Sequence, residues 1–216
     1  MNLSEIRVEV RDYLRDESTP YLFSDTQLNR YINRAEEEAC RRADILFKRQ
    51  HRIGIAYPKT AFKLPSYIKR VERVVLESTG EVIPQTTEEQ LYRDWGPWES
   101  VEDTIQNFLI QRNKIRTAAA VATSDALLID CWTLPTSQME RDADEPQIPT
   151  EYHHDLAYWA CHQAYLRNDS ETNSRERAAE FLAMFEARFG QIQEAGQREG
   201  ILNAPKSLTL RPHGYW

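Results

Sequence analysis

The sequence is poor in the residues that loop-rich, disulfide-bonded and membrane-spanning proteins need. Only 7 of its 216 residues are glycine, which argues against a loop-dominated or low-complexity chain. The cysteines Cys40, Cys131 and Cys161 are far apart and odd in number, as expected of reduced, buried thiols rather than of a disulfide framework or a zinc site. No apolar run approaches the roughly 18 residues of a transmembrane helix, so no membrane span is predicted.

The N-terminus lacks the pattern of a secretory signal. A signal peptide begins with a basic region followed by an apolar one. Residues 1–5 instead read as the polar start of a helix. We therefore expect no signal peptide and a protein made in the cytosol.

Positively charged residues are fewer than negatively charged ones. The chain has 27 Lys and Arg and 34 Asp and Glu, which gives a formal net charge of −7. An acidic chain is poorly suited to holding phosphates over a wide surface. It remains suited to lining a channel through which DNA slides without sticking. With 41% apolar residues, the chain is long enough to bury a core, as one domain or as one domain with an insertion.

The motifs of common enzyme and metal sites are absent. There is no Gly-x-Ser-x-Gly, Walker loop, Gly-x-Gly-x-x-Gly or His-Glu-x-x-His. Zinc needs several ligands about 2.0–2.3 Å from one point, whereas His154 and Cys161 would lie about 10 Å apart along a helix. We interpret His153, His154 and His162 as polar residues at a helix surface or interface. Cys131, in an apolar strand, should have a raised pKa. We predict no catalytic site, no metal and no cofactor.

Two helices are predicted in the first 50 residues, at about 3–16 and 24–50. In the second, apolar residues repeat at helical spacing as far as Phe47. Each helix starts with a capping box, in which two side chains bond each other's backbone N–H: Asn2 with Glu5, and Ser24 with Gln27.

Charged residues follow one another on the second helix. Glu36, Glu37 and Glu38 precede Arg41 and Arg42, and the four-residue spacings predict ion pairs on a solvated helix face. Nucleic-acid binding is the alternative, although a single-strand binder's interleaved aromatics and a helix-turn-helix pattern are both lacking. The residues it would use are Arg41, Arg42, Lys48, Arg49 and Arg52.

From Arg52 onwards, the spacing of the apolar residues is typical of strands rather than of helices. Segments rich in Ile, Val and Leu and bounded by turn residues predict antiparallel strands: 52–57, 67–77, 107–112 and 126–132. A short helix is predicted at 86–92, followed by a loop with Trp95 and Trp98. This loop is a candidate tail or subunit contact, since exposed tryptophans mark contact surfaces. Burial of both side chains is the equally favoured alternative.

The C-terminal part predicts two further helices, at about 150–167 and from 171–173 to 194 or 199. The first is apolar on two sides, as is typical of a helix central to a bundle. The predicted fold class is α+β, mainly a bundle of about four helices with an inserted small antiparallel β-region and an extended C-terminal arm. The predicted boundaries are 1–50 and 150–199 for the bundle, 51–137 for the β-rich region, 138–149 for an acidic linker and 200–216 for the arm.

The C-terminal arm carries more apolar surface than it can bury by itself, because Pro205, Pro212 and Gly214 prevent a regular helix. Apolar and polar residues alternate in Leu208-Thr209-Leu210, as they would in a strand added to a partner's sheet. We interpret the arm as a partner-binding segment; the alternative is packing against its own bundle. The residues are Ile201, Leu202, Leu208, Leu210, Arg211, Tyr215 and Trp216.

Two stretches, in this order along the chain, resemble the head-to-tail adaptors (connectors, or head-completion proteins) of tailed bacteriophages. The first is Ser18-Thr19-Pro20-Tyr21-Leu22-Phe23-Ser24-Asp25, Leu28, Tyr31-Ile32-Asn33, Ala35 and Glu38-Ala39-Cys40-Arg41-Arg42. The second is Ile148-Pro149, Tyr152-His153, Asp155-Leu156, Tyr158-Trp159-Ala160, Ala164-Tyr165, Asn168-Asp169, Phe181, Phe185 and Phe189-Gly190. The β-rich insertion, entered at Tyr57 and Leu64-Pro65 and left at Trp132-x-Leu134-Pro135, also resembles that family.

The resemblance implies a helical bundle with an inserted β-element, arranged in many copies as a ring, commonly dodecameric. In that family the ring lies under the portal after DNA packaging, the C-terminal arm docks on the portal, and the opposite side receives the tail or nozzle. We accordingly expect a structural, non-enzymatic virion protein of the neck, present in the host cytoplasm during assembly and acting in tail assembly and genome ejection. Its partners would be the portal protein, the tail tube or nozzle protein and other copies of itself, with double-stranded DNA passing through without sequence-specific binding and no membrane.

Two alternatives remain open. One is a tail-completion or tail-terminator ring. The other, from a different class, is a soluble helical DNA-binding regulator, which would need a concentrated basic face.

Overall fold

The computed structural model describes residues 1–56, 59–98, 105–111, 113–119, 124–167 and 174–191. Within these ranges the chain is mixed α+β. Its α-helices are α1 (Leu3–Leu14), α2 (Asp25–Arg42), α3 (Glu88–Trp95), α4 (Leu156–Tyr165) and α5 (Arg175–Phe189). Its strands are β1 (Phe47–Ile55), β2 (Ala61–Lys63), β3 (Ile68–Leu76), β4 (Val82–Ile83), β5 (Phe108–Gln111), β6 (Lys114–Thr117) and β7 (Asp125–Thr133).

The chain divides into two compact units. One, the helical unit, comprises Met1–Phe47 with Trp132–Gln193, and the other, the β-rich unit, includes Lys48–Cys131. In the helical unit, α1, α2, α4 and α5 contribute to a single core that includes Ile6, Ile32 and Phe185. The buried residues of α4 are mostly small, among them Ala157, Ala160 and Ala164, and small side chains let neighbouring helices approach closely.

Both predicted capping boxes are confirmed. The Glu5 N–H donates to Asn2 Oδ1 at 2.9 Å, and the Asn2 N–H donates to Glu5 Oε2 at 3.0 Å. Ser24 and Gln27 make the same reciprocal pair at the start of α2. These bonds satisfy N–H groups that a helix N-terminus otherwise leaves without a partner.

The second helix is shorter than predicted. α2 ends at Arg42, Ala43 is extended, and Phe47 begins β1 instead of closing the helix near Gln50. The apolar spacing of Leu46 and Phe47 fits a helix equally well. The N–H of Thr133, however, donates to the carbonyl oxygen of Leu46 at 2.8 Å. A hydrogen bond between residues so far apart in the chain cannot be predicted from the spacing of neighbouring apolar residues.

The two C-terminal helices are also shorter than predicted. Residues Thr150–Tyr152 form a 3-10 turn, and α4 begins only at Leu156. α5 starts at Arg175, where Ser174 caps it, and ends at Phe189. Gly190 has a φ of +82°, which is outside the helical range, so the predicted continuation through this glycine is wrong.

The strands form two sheets, in the orders β1-β7-β3-β4 and β2-β6-β5. The pairs β3–β4, β2–β6 and β5–β6 are antiparallel. Ile55, Val74, Ile115 and Leu127 belong to the core of the β-rich unit. No helix of the described ranges is long and apolar enough to cross a membrane.

Candidate functional site

The residues considered for a metal site do not converge. Each histidine has its own partner in the helical unit: His153 Nε2 with the Ile148 carbonyl oxygen at 2.9 Å, His154 Nδ1 with Glu9 Oε1 at 2.5 Å, and His162 Nδ1 with the Ala178 carbonyl oxygen at 2.7 Å. Across the described part of the chain, no group of three or more His, Cys, Asp and Glu residues is placed to hold a metal ion. These histidines connect helices and segments of one unit.

The cysteines are buried, free thiols. Burial raises the pKa of Cys131 to about 11, as the sequence predicts. Burial also raises the pKa of Cys161, with a smaller contribution in the same direction from the charge of Glu9. Because the thiolate is the nucleophilic form, neither group is suited to covalent chemistry near neutral pH.

Residues 138–149, which we call the acidic segment, lie against α1. The N–H of Leu3 donates to the Asp144 carbonyl oxygen at 2.8 Å, and that of Ser4 donates to the Asp142 carbonyl oxygen at 3.2 Å. Arg7 Nη2 donates to Asp142 Oδ1 at 2.9 Å. The first N–H groups of a helix lack intrahelical acceptors, so carbonyls of the acidic segment complete the N-terminus of α1.

Two side chains of α2 hold the same segment. The Asn33 amide donates to the Met139 carbonyl oxygen at 3.0 Å and accepts from the Met139 N–H at 2.8 Å. One turn further on, Glu36 Oε1 accepts the N–H groups of Gln147 and Ile148. The segment predicted as a linker is therefore bonded near both of its ends to one helix.

Glu36 corrects the prediction that all three consecutive glutamates of α2 are solvated. It is 1% exposed, and burial raises its pKa to about 7 despite the two N–H donors, which act in the opposite direction. Glu36 lines a cleft of about 730 Å³. The other charged groups of this cleft all come from the acidic segment: Glu140, Arg141, Asp144 and Glu145.

Glu38 and Arg42 are also buried instead of solvated, although the predicted ion pair between them is confirmed. Arg42 Nε donates to Glu38 Oε1 at 2.8 Å, and Arg42 Nη1 donates to Glu186 Oε1 of α5 at 3.1 Å. The Arg42 side chain is only 1% exposed, and its guanidinium lies 5.1 Å from the centre of the Trp159 ring. Arg42 is thus committed to the core and is not available to nucleic acid.

The two tryptophans of the predicted contact loop differ in exposure. Trp98 is fully buried and shares a small core with Leu91 of α3 and Leu109 of β5, and the Arg116 guanidinium lies 4.8 Å from the centre of its ring. Trp95 is only partly buried, and it is the last residue of α3 rather than part of the predicted loop. Trp98 therefore anchors α3 on the sheet β2-β6-β5, while Trp95 retains surface for a contact.

Two lysines that local sequence patterns do not single out lie on the sheet β2-β6-β5. Lys63 of β2 and Lys114 of β6 are direct partners in the antiparallel register, and both are exposed. Gln111 of β5 is the partner of Lys114 on the other side. Recognising this pair from sequence would require the register of two very short strands.

The proposed arm residues Ile201, Leu202, Leu208, Leu210, Arg211, Tyr215 and Trp216 lie outside the described residues. The portal-binding arm therefore stays a prediction.

Comparison with known proteins gives one family. No curated protein matches the sequence at a significant level. The family model described as SU10 adaptor protein matches residues 1–207. Since this match covers nearly the whole chain, and agrees with the resemblance carried by the helix-start and aromatic motifs, the chain belongs to the SU10 adaptor protein family, a family of phage head-to-tail adaptors.

Proposed function

We propose that the chain forms a ring below the portal of a tailed phage, continues its DNA channel and provides the surface to which the tail attaches. The observation that carries this proposal is the family match over residues 1–207. Phage adaptors are structural proteins of the virion neck. Portal and tail components are accordingly the partners that the family implies.

In this proposal the helices of the helical unit form the family's bundle, and residues 200–216 form an arm that docks on the portal. The arm proposal rests on the apolar residues of a sequence that Pro205, Pro212 and Gly214 keep from forming a regular helix. Burial of large apolar side chains is a main source of binding free energy. A portal groove would supply the burial that the arm cannot supply itself.

The net charge of −7 supports the proposed channel. DNA phosphates bind strongly only where Lys and Arg neutralise several of them at once. A predominantly acidic ring would let DNA pass without holding it. The partly buried Trp95, the last residue of α3, is a proposed contact with the tail or a neighbouring subunit, and it packs against the small core that contains Trp98.

Co-sedimentation with purified portal rings tests the arm. The full chain should sediment with the portals, and a chain ending at residue 199 should remain in the supernatant. A truncated chain with unchanged circular dichroism that still binds portals would show the arm assignment to be wrong. Binding of the full chain to tail tubes rather than portals would instead favour a tail-terminator ring.

A further inference from the structure

One end of the β2–β6 strand pair carries two positive charges next to each other. Lys63 and Lys114 stand directly opposite each other in the antiparallel register and are exposed. Like charges at such positions are destabilising. Neither lysine has an ion-pair partner among the residues that the structure describes. An anionic group from outside the chain would offset this repulsion.

Part of the same sheet face is already occupied by Arg116 and its contacts. Ala61, Lys63, Lys114 and Arg116 share one face, since directly opposite residues point to the same side. Arg116 lies over Trp98 and within 4.0 Å of Glu88, both next to or on α3. The lysine pair belongs to the exposed part of this face, together with Ala61.

The acidic segment of the helical unit has the opposite character. Glu140 and Glu145 are exposed and line the cleft above Glu36, and no cation bonds to either side chain within the described ranges. The backbone around them is fixed by Asn33, by Glu36 and by the start of α1. A surface that is already ordered loses less conformational entropy on binding.

The charges of the two units are unequal. Residues 1–47 and 132–193 contain 12 Lys and Arg against 21 Asp and Glu, whereas residues 48–131 contain 12 against 11. Identical copies close into a ring through a head-to-tail contact, in which two different surfaces meet. A contact between two acidic surfaces would be repulsive.

We propose that Lys63 and Lys114 of one copy bind the acidic segment, at Glu140 and Glu145, of a second copy of this chain. The inference rests on the proposed ring and identifies the pair of surfaces that joins its subunits. The contact is electrostatic, so it weakens as salt concentration rises. Because the two surfaces differ, the contact also gives every subunit the same orientation around the ring.

Disulfide trapping between copies tests the contact without any portal. Full-length chains carrying Lys63→Cys or Glu145→Cys are mixed in equal amounts and oxidised, while the native thiols stay buried. The mixed dimer should exceed either symmetrical dimer about tenfold, since only the mixed pairing brings the opposite charges together. Replacing Lys63→Cys by Arg93→Cys, at an exposed position of α3, is the matched control and should give random pairing. Random pairing in the test mixture would overturn the proposal.

Charge reversal gives a second measurement that does not depend on thiol geometry. The Lys63→Glu, Lys114→Glu double variant should lose self-association about tenfold or more, and adding Glu140→Lys with Glu145→Lys should restore it. Arg49→Glu with Arg93→Glu makes the same change in net charge at exposed positions and should have little effect. Unaltered self-association of the first variant would contradict the inference.

The two proposals fail separately. A chain that gives the mixed dimer but ignores portals contradicts the adaptor function alone. A chain that builds a collar on portals but pairs at random contradicts the lysine contact alone.

Discussion

Asn33 and Met139, 106 residues apart, are joined by two hydrogen bonds between one side chain and one residue's backbone. The Asn33 amide satisfies both the N–H and the carbonyl oxygen of Met139, two backbone groups that lie outside the helices and strands. With Glu36 one turn further along α2, this pair turns an acidic, proline-bounded segment into part of the helical unit. The ordered surface of that segment is also the one that we propose meets the next subunit.

Replacing Asn33 by Ala should destabilise the protein by about 1–3 kcal/mol, because both backbone groups of Met139 lose their partner in a partly buried position. Urea unfolding followed by circular dichroism measures this change. Arg34→Ala, at the neighbouring exposed position, is the control and should stay within about 0.5 kcal/mol of the wild type. Equal midpoints for the two variants would contradict the assigned role of Asn33.

The buried carboxyl of Glu36 should make stability depend on pH. Its pKa is raised from the ordinary value of 4.5 to about 7, chiefly by burial. The unfolded chain therefore releases this proton at lower pH than the folded chain. The stabilising contribution is complete below about pH 4.5 and is lost as pH rises through 7.

Glu36→Gln keeps an acceptor for the N–H groups of Gln147 and Ile148 without the buried charge. Relative to wild type, this variant should gain on the order of 2–3 kcal/mol between pH 4.5 and pH 8. Unfolding free energies across this range test the expectation. Glu37→Gln, at an exposed site on the same helix, should show no comparable trend, and a difference independent of pH for Glu36→Gln would refute the account.

Two adjacent arginines of α2 should differ sharply in their effect on stability. Arg42→Ala leaves Glu38 and Glu186 without a buried cation, at a cost of roughly 3–5 kcal/mol. Arg41, whose side chain is 41% exposed, pairs with the exposed Glu37 and with Glu38, which keeps Arg42 as a second partner. Arg41→Ala should therefore cost less than about 1 kcal/mol. Thermal and urea unfolding compare the two, and similar losses would mean that Arg42 is not the buried centre of this network.

Cys131 and Cys161 should be nearly inert in the folded protein. Burial raises the pKa of both thiols, so at pH 8 iodoacetamide should modify them at least about tenfold more slowly in the native chain than in urea. Mass spectrometry of timed reactions gives the rates at each cysteine. Rapid native labelling of either residue would contradict its burial.

Local signals explain what the sequence alone predicted correctly. The capping boxes at Asn2 and Ser24 depend on residues three positions apart, and a helix N-terminus needs only those neighbours. Most core strands of the β-rich unit are predictable because β-branched and apolar residues cluster between turn residues. The family resemblance followed from the order of such local motifs along the chain.

The misplaced boundaries and buried charges depend on distant residues. Phe47 fits a helical period, yet it lies on a strand next to β7 in the sheet. Glu36 looks like its neighbour Glu37, and only the N–H groups of Gln147 and Ile148 distinguish it. The pairing of Lys63 with Lys114 likewise appears only once the strand register is known.

Electron microscopy of the purified chain mixed with portal rings tests the adaptor function most directly. We expect a collar of density added to one end of each portal, coaxial with its channel and absent from portals imaged alone. Portals that remain bare, at concentrations where the chain is folded and in excess, would contradict the proposed ring below the portal.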